Sequence, residues 1–195
     1  MTGKRSRPKQ FGRVGFTLVE LVVVVVIIGV VAAFAMPRID YTRFRIDTGM
    51  RGVGTALLQA QRRAVSTQHD VIVVFDTTNR VLRVIEDANN NGKEDTNERT
   101  RGLSVGEGVV FGRGGAPQHA IGPGQVTFKK KVGGLPALIF HRNGSASERG
   151  GLYLTSSRAV GNSNHMKDSR VIEIERSTGR VSWYRYIESQ WKRGF

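Results

Sequence analysis

The sequence predicts an α+β fold, in which a long N-terminal helix carries a small antiparallel β-sheet head. Three observations support this prediction. An uncharged apolar run, LVVVVVIIGVVAAFAM, occupies residues 21–36. A helical apolar pattern continues to residue 66, and short apolar segments separated by Gly and Asn fill the chain from residue 70 onward.

The composition narrows the possible functions. Cysteine is absent, which excludes disulfide bonds, thiolate metal sites and a cysteine nucleophile. The net charge is +14, and part of it comes from a leader without acids that contains Lys4, Arg5, Arg7, Lys9 and Arg13. The remainder is still basic, which suits either a solvated surface or an anionic partner such as nucleic acid or lipid headgroups.

The apolar segment 16–37 is long enough to cross a bilayer as a helix. At ~1.5 Å per residue it would be roughly 33 Å long, close to the thickness of the hydrocarbon core. Three interpretations compete: an ordinary secretory signal cut near Met36, a permanent anchor, and a helix that first anchors and later packs. Ala33-Phe34-Ala35 fits the signal interpretation, although the apolar run is longer than usual.

Glu20 separates these interpretations. It lies one turn into the apolar segment, where a carboxylate costs ~2–3 kcal/mol and benefits neither a signal nor a plain anchor. The surrounding residues, GFTLVEL at 15–21, resemble the prepilin peptidase site of type IV pilins and type II secretion pseudopilins. In that resemblance Gly15 precedes the cut, Phe16 becomes the new N-terminus and Glu20 is fifth in the mature chain. Pro37 falls where many pilins have a helix-kinking proline.

The resemblance implies processing followed by assembly with other pilin or pseudopilin subunits. A prepilin peptidase would cut between Gly15 and Phe16 and methylate the new Phe16 amine. Glu20 would then pair with the N-terminal ammonium of an adjacent subunit, which neutralises it in low dielectric and sets the register between stacked helices. The basic leader predicts a cytoplasmic N-terminus, a single pass through the inner membrane and an exported head.

These features divide the chain into four parts. Residues 1–15 are the cleaved leader, 16–37 the membrane half of a long N-terminal helix, 38–66 its amphipathic half, and 67–195 the β-rich head. The amphipathic half has apolar residues at spacings of three and four, and we expect this face to pack on a sheet. Its members are Ile46, Met50, Val53, Leu57, Ala60 and Ala64.

The head is predicted from short β segments bounded by turn residues. They lie at 71–76, 81–85, 109–111, 126–130, 137–141, 151–154, 170–175 and 180–186. The continuous apolar run at 71–75 predicts a central strand. Residues 176–179, RSTG, predict a hairpin turn with Gly179 at positive φ.

A second resemblance covers most of the chain. ALLQAQRRAV at 56–65, LIFHRNGSA at 138–146 leading into GLYL at 151–154, and STGRV at 177–181 are similar to segments of the GspH/FimT group of minor pseudopilins. The resemblance implies a minor subunit of a type II secretion pseudopilus or a type IV pilus. Such a protein has a structural role and is not an enzyme.

The sequence contains no pattern typical of catalysis. The four histidines, His69, His119, His141 and His165, lie far apart without paired ligand spacing. GSAS at 144–147 does not match the G-x-S-x-G nucleophile elbow. We therefore expect no catalytic residues and no required cofactor.

One segment fits a calcium loop. DANNNGKEDTNE at 87–98 matches D-x-[DN]-x-[DN]-G-x5-E, with oxygen ligands at alternate positions and Gly92 at the sharp turn. The flanking residues predict strands and not the usual helices, so an ordinary acidic β-turn is the alternative. The candidate calcium positions are Asp87, Asn89, Asn91, Lys93, Asp95 and Glu98.

The C-terminal region supports a different function, DNA capture during natural transformation. Basic side chains there alternate with aromatic ones, a combination that holds phosphates and stacks on bases. Some FimT-like minor pilins bind DNA through a G-R-x-R element, of which GRVS at 179–182 keeps the first half. Trp183 alternates with Val181 and also fits a core position. The candidate nucleic-acid residues are Arg176, Arg180, Arg185, Lys192 and Arg193.

Overall fold

The computed structural model describes residues 15–35 and 40–194, which belong to two compact units, Met1–Asp40 and Tyr41–Phe195. The first unit contains helix α1, Leu18–Ala35. The second contains helix α2, Tyr41–Thr67, two short 3-10 helices at Ser157–Ala159 and Ser163–Asp168, and ten strands. The strands are β1 Asp70–Asp76, β2 Val81–Asp87, β3 Thr100–Ser104, β4 Val109–Phe111, β5 Lys131–Val132, β6 Leu135–Phe140, β7 Gly150–Ser156, β8 Arg170–Ile174, β9 Val181–Ile187 and β10 Gln190–Arg193.

Helix α1 is apolar on every side. Its large apolar side chains, from Leu18 to Phe34, are exposed in this chain. Because no single face is more apolar than another, the helix has no preferred side for packing. Among the residues that the structure describes, no helix combines the length and hydropathy that a membrane span requires.

The structure has two helices where the sequence predicts one. Helix α1 spans Leu18–Ala35, α2 begins at Tyr41, and Asp40 is not helical, so the long helix predicted over 16–66 does not hold at Asp40. Pro37 lies outside the described residues, and the predicted kink there stays a prediction.

The strands form two antiparallel sheets in the order β3-β2-β1-β6-β5 and β10-β9-β8-β7-β4. The predicted α+β class is therefore confirmed, although the sequence predicted a single small sheet. The two sheets share one helix, because α2 contacts β1, β2 and β6 of the first sheet and β4, β7, β8 and β9 of the second. The apolar pattern within each strand does not show which other strands lie beside it in a sheet.

The predicted apolar face of α2 is confirmed. All six of its members are buried in one core cluster with residues from both sheets. Two glycines of α2 allow other segments of the head to approach the helix closely. A Cβ on Gly54 would collide with the indole of Trp183, and one on Gly49 would collide with the carbonyl oxygen of Val105. These glycines weaken the helix by about 1 kcal/mol each relative to Ala, and close packing offsets that cost.

Strand β1 is central in its sheet, as predicted, since it pairs with both β2 and β6. Val71, Val73 and Phe75 face the core under α2. Ile72 and Val74 point to the opposite face, where a second apolar cluster covers them. Burial on both faces explains why the run is continuously apolar.

The predicted strand at 126–130 is wrong. Val126 makes only an isolated bridge with Leu152. Beyond it, the backbone N–H groups of Lys129 and Lys130 donate to the carboxylate of Glu148 at 3.0 Å. A side chain thus takes the hydrogen bonds that a partner strand would accept, which a residue pattern alone does not show.

Candidate processing and assembly site

Helix α1 begins with a reciprocal hydrogen-bonded cap. The backbone N–H of Thr17 donates to Oε2 of Glu20 at 2.9 Å, and the Thr17 hydroxyl donates to the same oxygen at 3.0 Å. The backbone N–H of Glu20 donates to Oγ1 of Thr17 at 3.2 Å. The carbonyl oxygen of Thr17 accepts the first helical hydrogen bond from Leu21. This is a capping box, with Thr17 at the N-cap and Glu20 three residues on.

The capping box adds a residue to the predicted site. Glu20 is predicted from its cost in an apolar segment, whereas Thr17 is not among the predicted site residues. The pattern T-x-x-E before an apolar run was available and predicts this cap. Glu20 therefore has a local role at the helix start besides the one predicted in assembly, because its carboxylate lies at the positive end of the helix dipole.

The bond between Gly15 and Phe16 directly precedes this cap. Both residues lie outside α1, and the Phe16 side chain is 87% exposed. A Cβ added to Gly15 would meet no atom within 4 Å. The fold therefore places no steric demand for glycine at position 15, so any such demand would come from a partner such as a peptidase.

Comparison with known families identifies this segment. Residues 15–36 match the family described as the prokaryotic N-terminal methylation motif. The chain carries a prepilin-type N-terminal methylation motif. The match begins at Gly15, includes Phe16 and Glu20, and continues through the apolar helix.

A solved structure similar to this chain is the minor pseudopilin EpsH from the type 2 secretion system of Vibrio cholerae. It is 12% identical, with a TM-score of 0.36, and the comparison covers 76% of this chain and 94% of EpsH. No curated protein matches the sequence.

The predicted calcium loop begins at Asp87, the last residue of β2. Asp87 is fully buried, and its carboxylate accepts hydrogen bonds from the backbone N–H groups of Asn91 at 3.0 Å and Gly92 at 2.7 Å. Gly92 has φ of 71°, which confirms the predicted tight turn. The backbone N–H of Lys93 donates to Oδ1 of Asn91 at 2.8 Å, and neither the carbonyl group nor the side chain of Lys93 takes part in that hydrogen bond.

The carboxylate oxygens of Asp95 and Glu98, which are also candidate calcium ligands, accept hydrogen bonds within the loop as well. Oδ2 of Asp95 accepts hydrogen bonds from the side-chain amides of Asn89 and Asn91, which lowers the pKa of Asp95. Glu98 accepts from the backbone N–H groups of Ala88 and Asp95 at 3.1 Å. Within the described residues, no three carboxylates or imidazoles lie close enough to share a metal ion. Calcium binding stays a prediction, to be tested by a Ca²⁺-dependent rise in Tm that Glu98→Ala removes.

The predicted nucleic-acid residues do not share one face of their sheet. Arg185 and Lys192 are cross-strand partners on β9 and β10 and so point to the same side, while Arg193 is the partner of Tyr184 on the other side. Arg193 donates to Oγ of Ser182 at 3.2 Å, and Lys192 pairs with Glu188. Arg176 and Arg180 flank the turn between β8 and β9.

The aromatic side chains of this region pack within the head. Trp183 lies against the core under α2, which confirms its predicted core position. Trp191 packs 5.3 Å from Tyr186 and donates its Nε1–H to the carbonyl oxygen of Pro117 at 3.1 Å. The ring of Tyr184 packs against that of His119 in a tilted arrangement, with ring centroids 4.4 Å apart. DNA binding by these residues stays a prediction.

Proposed function

We propose that this protein is a minor pseudopilin or minor pilin of the GspH/FimT kind. It is cut between Gly15 and Phe16, methylated on the Phe16 amine, and held in the inner membrane by α1 with its head on the outer side. It is then incorporated into a type II secretion pseudopilus or a type IV pilus. The observation that carries the proposal is the Thr17–Glu20 cap at the start of an exposed apolar helix inside the methylation motif.

The cap supports the assembly role of Glu20. Within the described residues, both hydrogen bonds to the carboxylate are accepted by Oε2, so Oε1 remains for an incoming donor. The Phe16 ammonium of an adjacent subunit would approach that oxygen once cleavage has created it. In this ion pair the ammonium would compensate the negative charge of Glu20 in an apolar environment. A buried carboxylate is tolerated when its charge is compensated in this way.

The membrane role of α1 rests on its composition and its leader. The helix is 18 residues long and apolar on every side, and the basic leader precedes it. Positive charge on the N-terminal side favours retention of that side in the cytoplasm. In the filament the same surface would pack against the helices of other subunits.

Mass spectrometry of the N-terminal peptide tests the proposal. The full chain, expressed in bacteria with a prepilin peptidase, should begin at Phe16 and carry one methyl group on its amine. Gly15→Glu should remain uncut, whereas Gly29→Ala, also at a glycine with open space around it, should be processed like the parent chain. A mature chain that begins near Met36 would show ordinary secretion and contradict the proposal.

A further inference from the structure

A groove of about 660 Å³ runs between α2 and the side of β2 and β3 that faces it. It exists because the first sheet is wider than the helix that covers it. Helix α2 lies over β1 and part of β2, so Val84 of β2 and Leu103 of β3 face the helix side without being fully covered. These two side chains form the apolar floor.

The helix side of the groove is lined by small side chains, Gly52, Ala56 and Ala60 among them. Their positions, four residues apart, form one stripe along α2. Small side chains here leave the main chain of α2 accessible, so a bound segment can come close to the helix. This stripe of small side chains does not by itself indicate a ligand. The charged side chains around the groove are a second observation, and they indicate which kind of ligand would bind.

Four arginines surround this apolar floor: Arg51 and Arg63 from α2, and Arg99 and Arg101 from the β3 side. Within the described residues, Glu86 is the one acid that lines the groove, and Arg63 donates to it at 3.1 Å. Arg99 and Arg101 are exposed and point to the same side of the sheet as Glu86 and Val84. Positive charge therefore exceeds negative charge along the whole groove.

Strand β3 is the edge of its sheet in the part of the chain that the structure describes, with β2 as its one neighbour. Most of its side chains are exposed. The outer edge of such a strand presents backbone N–H and C=O groups to an approaching chain. A peptide entering the groove beside β3 would thus meet hydrogen-bonding groups, an apolar floor and arginines together.

We propose that this groove binds an acidic peptide segment of a neighbouring subunit, with carboxylates on Arg99 and Arg101 and apolar side chains on Val84 and Leu103. The proposal rests on the proposed function, because it names the chemistry of a contact within the filament. Guanidinium groups bind carboxylates in a paired geometry, which gives specificity as well as attraction. Nucleic acid fits less well, since none of the described residues that line the groove is aromatic and the floor is apolar.

The test uses the full chain in detergent micelles and a fluorescein-labelled decapeptide of alternating Glu and Leu. Binding is measured by fluorescence anisotropy. Arg99→Glu combined with Arg101→Glu should weaken binding about tenfold, because charge complementarity across the groove is reversed. Arg62→Glu combined with Lys131→Glu makes the same change in net charge at exposed positions outside the groove and should change Kd by less than about twofold.

A second variant keeps the proposal testable if the charge reversal disturbs folding. Ala56→Trp fills the groove without any change of charge and should also weaken peptide binding about tenfold. If Ala56→Trp leaves the peptide affinity unchanged, the groove is not the binding site. A decapeptide of alternating Glu and Ser should bind more weakly than the Glu-Leu peptide. Equal binding of the two peptides, or a labelled decathymidine that binds with the same dependence on Arg99 and Arg101, would overturn the proposal.

The groove and the proposed function fail in different ways. Peptide binding by the purified chain does not depend on cleavage at Gly15. A chain that is processed and methylated but does not bind the Glu-Leu peptide contradicts the groove alone. A chain that binds the peptide at the groove but is not cut before Phe16 contradicts the proposed function alone.

Discussion

The side-chain amide of Gln61 on α2 donates to the carbonyl oxygen of Thr178 at 2.7 Å and to that of Gly144 at 2.8 Å. Thr178 lies in the turn between β8 and β9, and Gly144 in the turn between β6 and β7. A backbone hydrogen bond from Ala146 to Arg176 joins the same two turns. The three segments that resemble minor pseudopilins, at 56–65, 138–146 and 177–181, therefore meet at one glutamine.

Removal of this amide should destabilise the head. Gln61→Leu keeps the approximate size of the side chain but leaves the partly buried carbonyl group of Gly144 and the exposed one of Thr178 without their donor. We expect a loss of about 1–3 kcal/mol in the free energy of unfolding, measured by urea denaturation of the full chain in micelles. Gln59→Leu, two residues away and exposed, is the control and should change stability by less than about 0.5 kcal/mol. Equal effects would show that the two hydrogen bonds contribute nothing measurable.

Gly179 tests how closely the turns approach. Its φ of 61° already disfavours a side chain, and a Cβ there would also collide with the carbonyl oxygen of Gly144 and the amide of Gln61. Gly133 has φ of 58° but open space around it. Both Gly→Ala changes should lower the free energy of unfolding by about 1–3 kcal/mol because of the backbone conformation. Gly179→Ala should lower it clearly more, because the added Cβ also collides with its neighbours. A similar loss for the two variants in thermal denaturation would argue against the close approach.

His119 predicts a pH dependence of stability. Burial lowers the pKa of His119, with a smaller opposing effect of Glu173 and a further lowering by Arg149. Because the unfolded chain binds this proton more readily than the folded chain, stability is present above the ordinary histidine pKa of about 6.5 and decreases as the pH falls below it.

The measurement compares the urea midpoint at about pH 8 and about pH 5. His119→Phe keeps a ring against Tyr184 and should reduce the difference between the two midpoints. His69→Phe, at an exposed histidine, should leave that difference as it is in the parent chain. If His119→Phe and the parent show the same pH dependence, other groups are responsible for it.

The two roles of Glu20 can be separated by substitution. Thr17→Val removes the hydroxyl of the cap but keeps the carboxylate, so the helix start should weaken by about 1 kcal/mol while incorporation into filaments persists. Glu20→Gln keeps a side-chain oxygen for the Thr17 N–H but removes the charge that would neutralise a neighbour's ammonium. We expect cleavage before Phe16 in both variants and loss of incorporation in Glu20→Gln only, read by immunoblotting of sheared filaments. Normal incorporation of Glu20→Gln would leave capping as its sole role.

Local patterns in the chain were sufficient for several features. The motif around Gly15 and Glu20 involves adjacent residues, and the capping box spans a single helical turn. The buried face of α2 follows from helical periodicity, and the centre of the first sheet from the unbroken apolar run of β1. Each depends on interactions within a few residues or on burial, which spacing reports directly.

Other features depended on contacts between distant segments. The segment at 126–130 has strand composition, yet the carboxylate of Glu148 occupies its N–H groups. Gln61 and Gly179 acquire their roles only when three separate segments meet, and the arginine-lined groove forms only because α2 is narrower than the sheet that it covers. Such relationships arise from the packing of whole elements, and the free energy that selects one packing comes from burial summed over the core, which no short stretch of sequence contains.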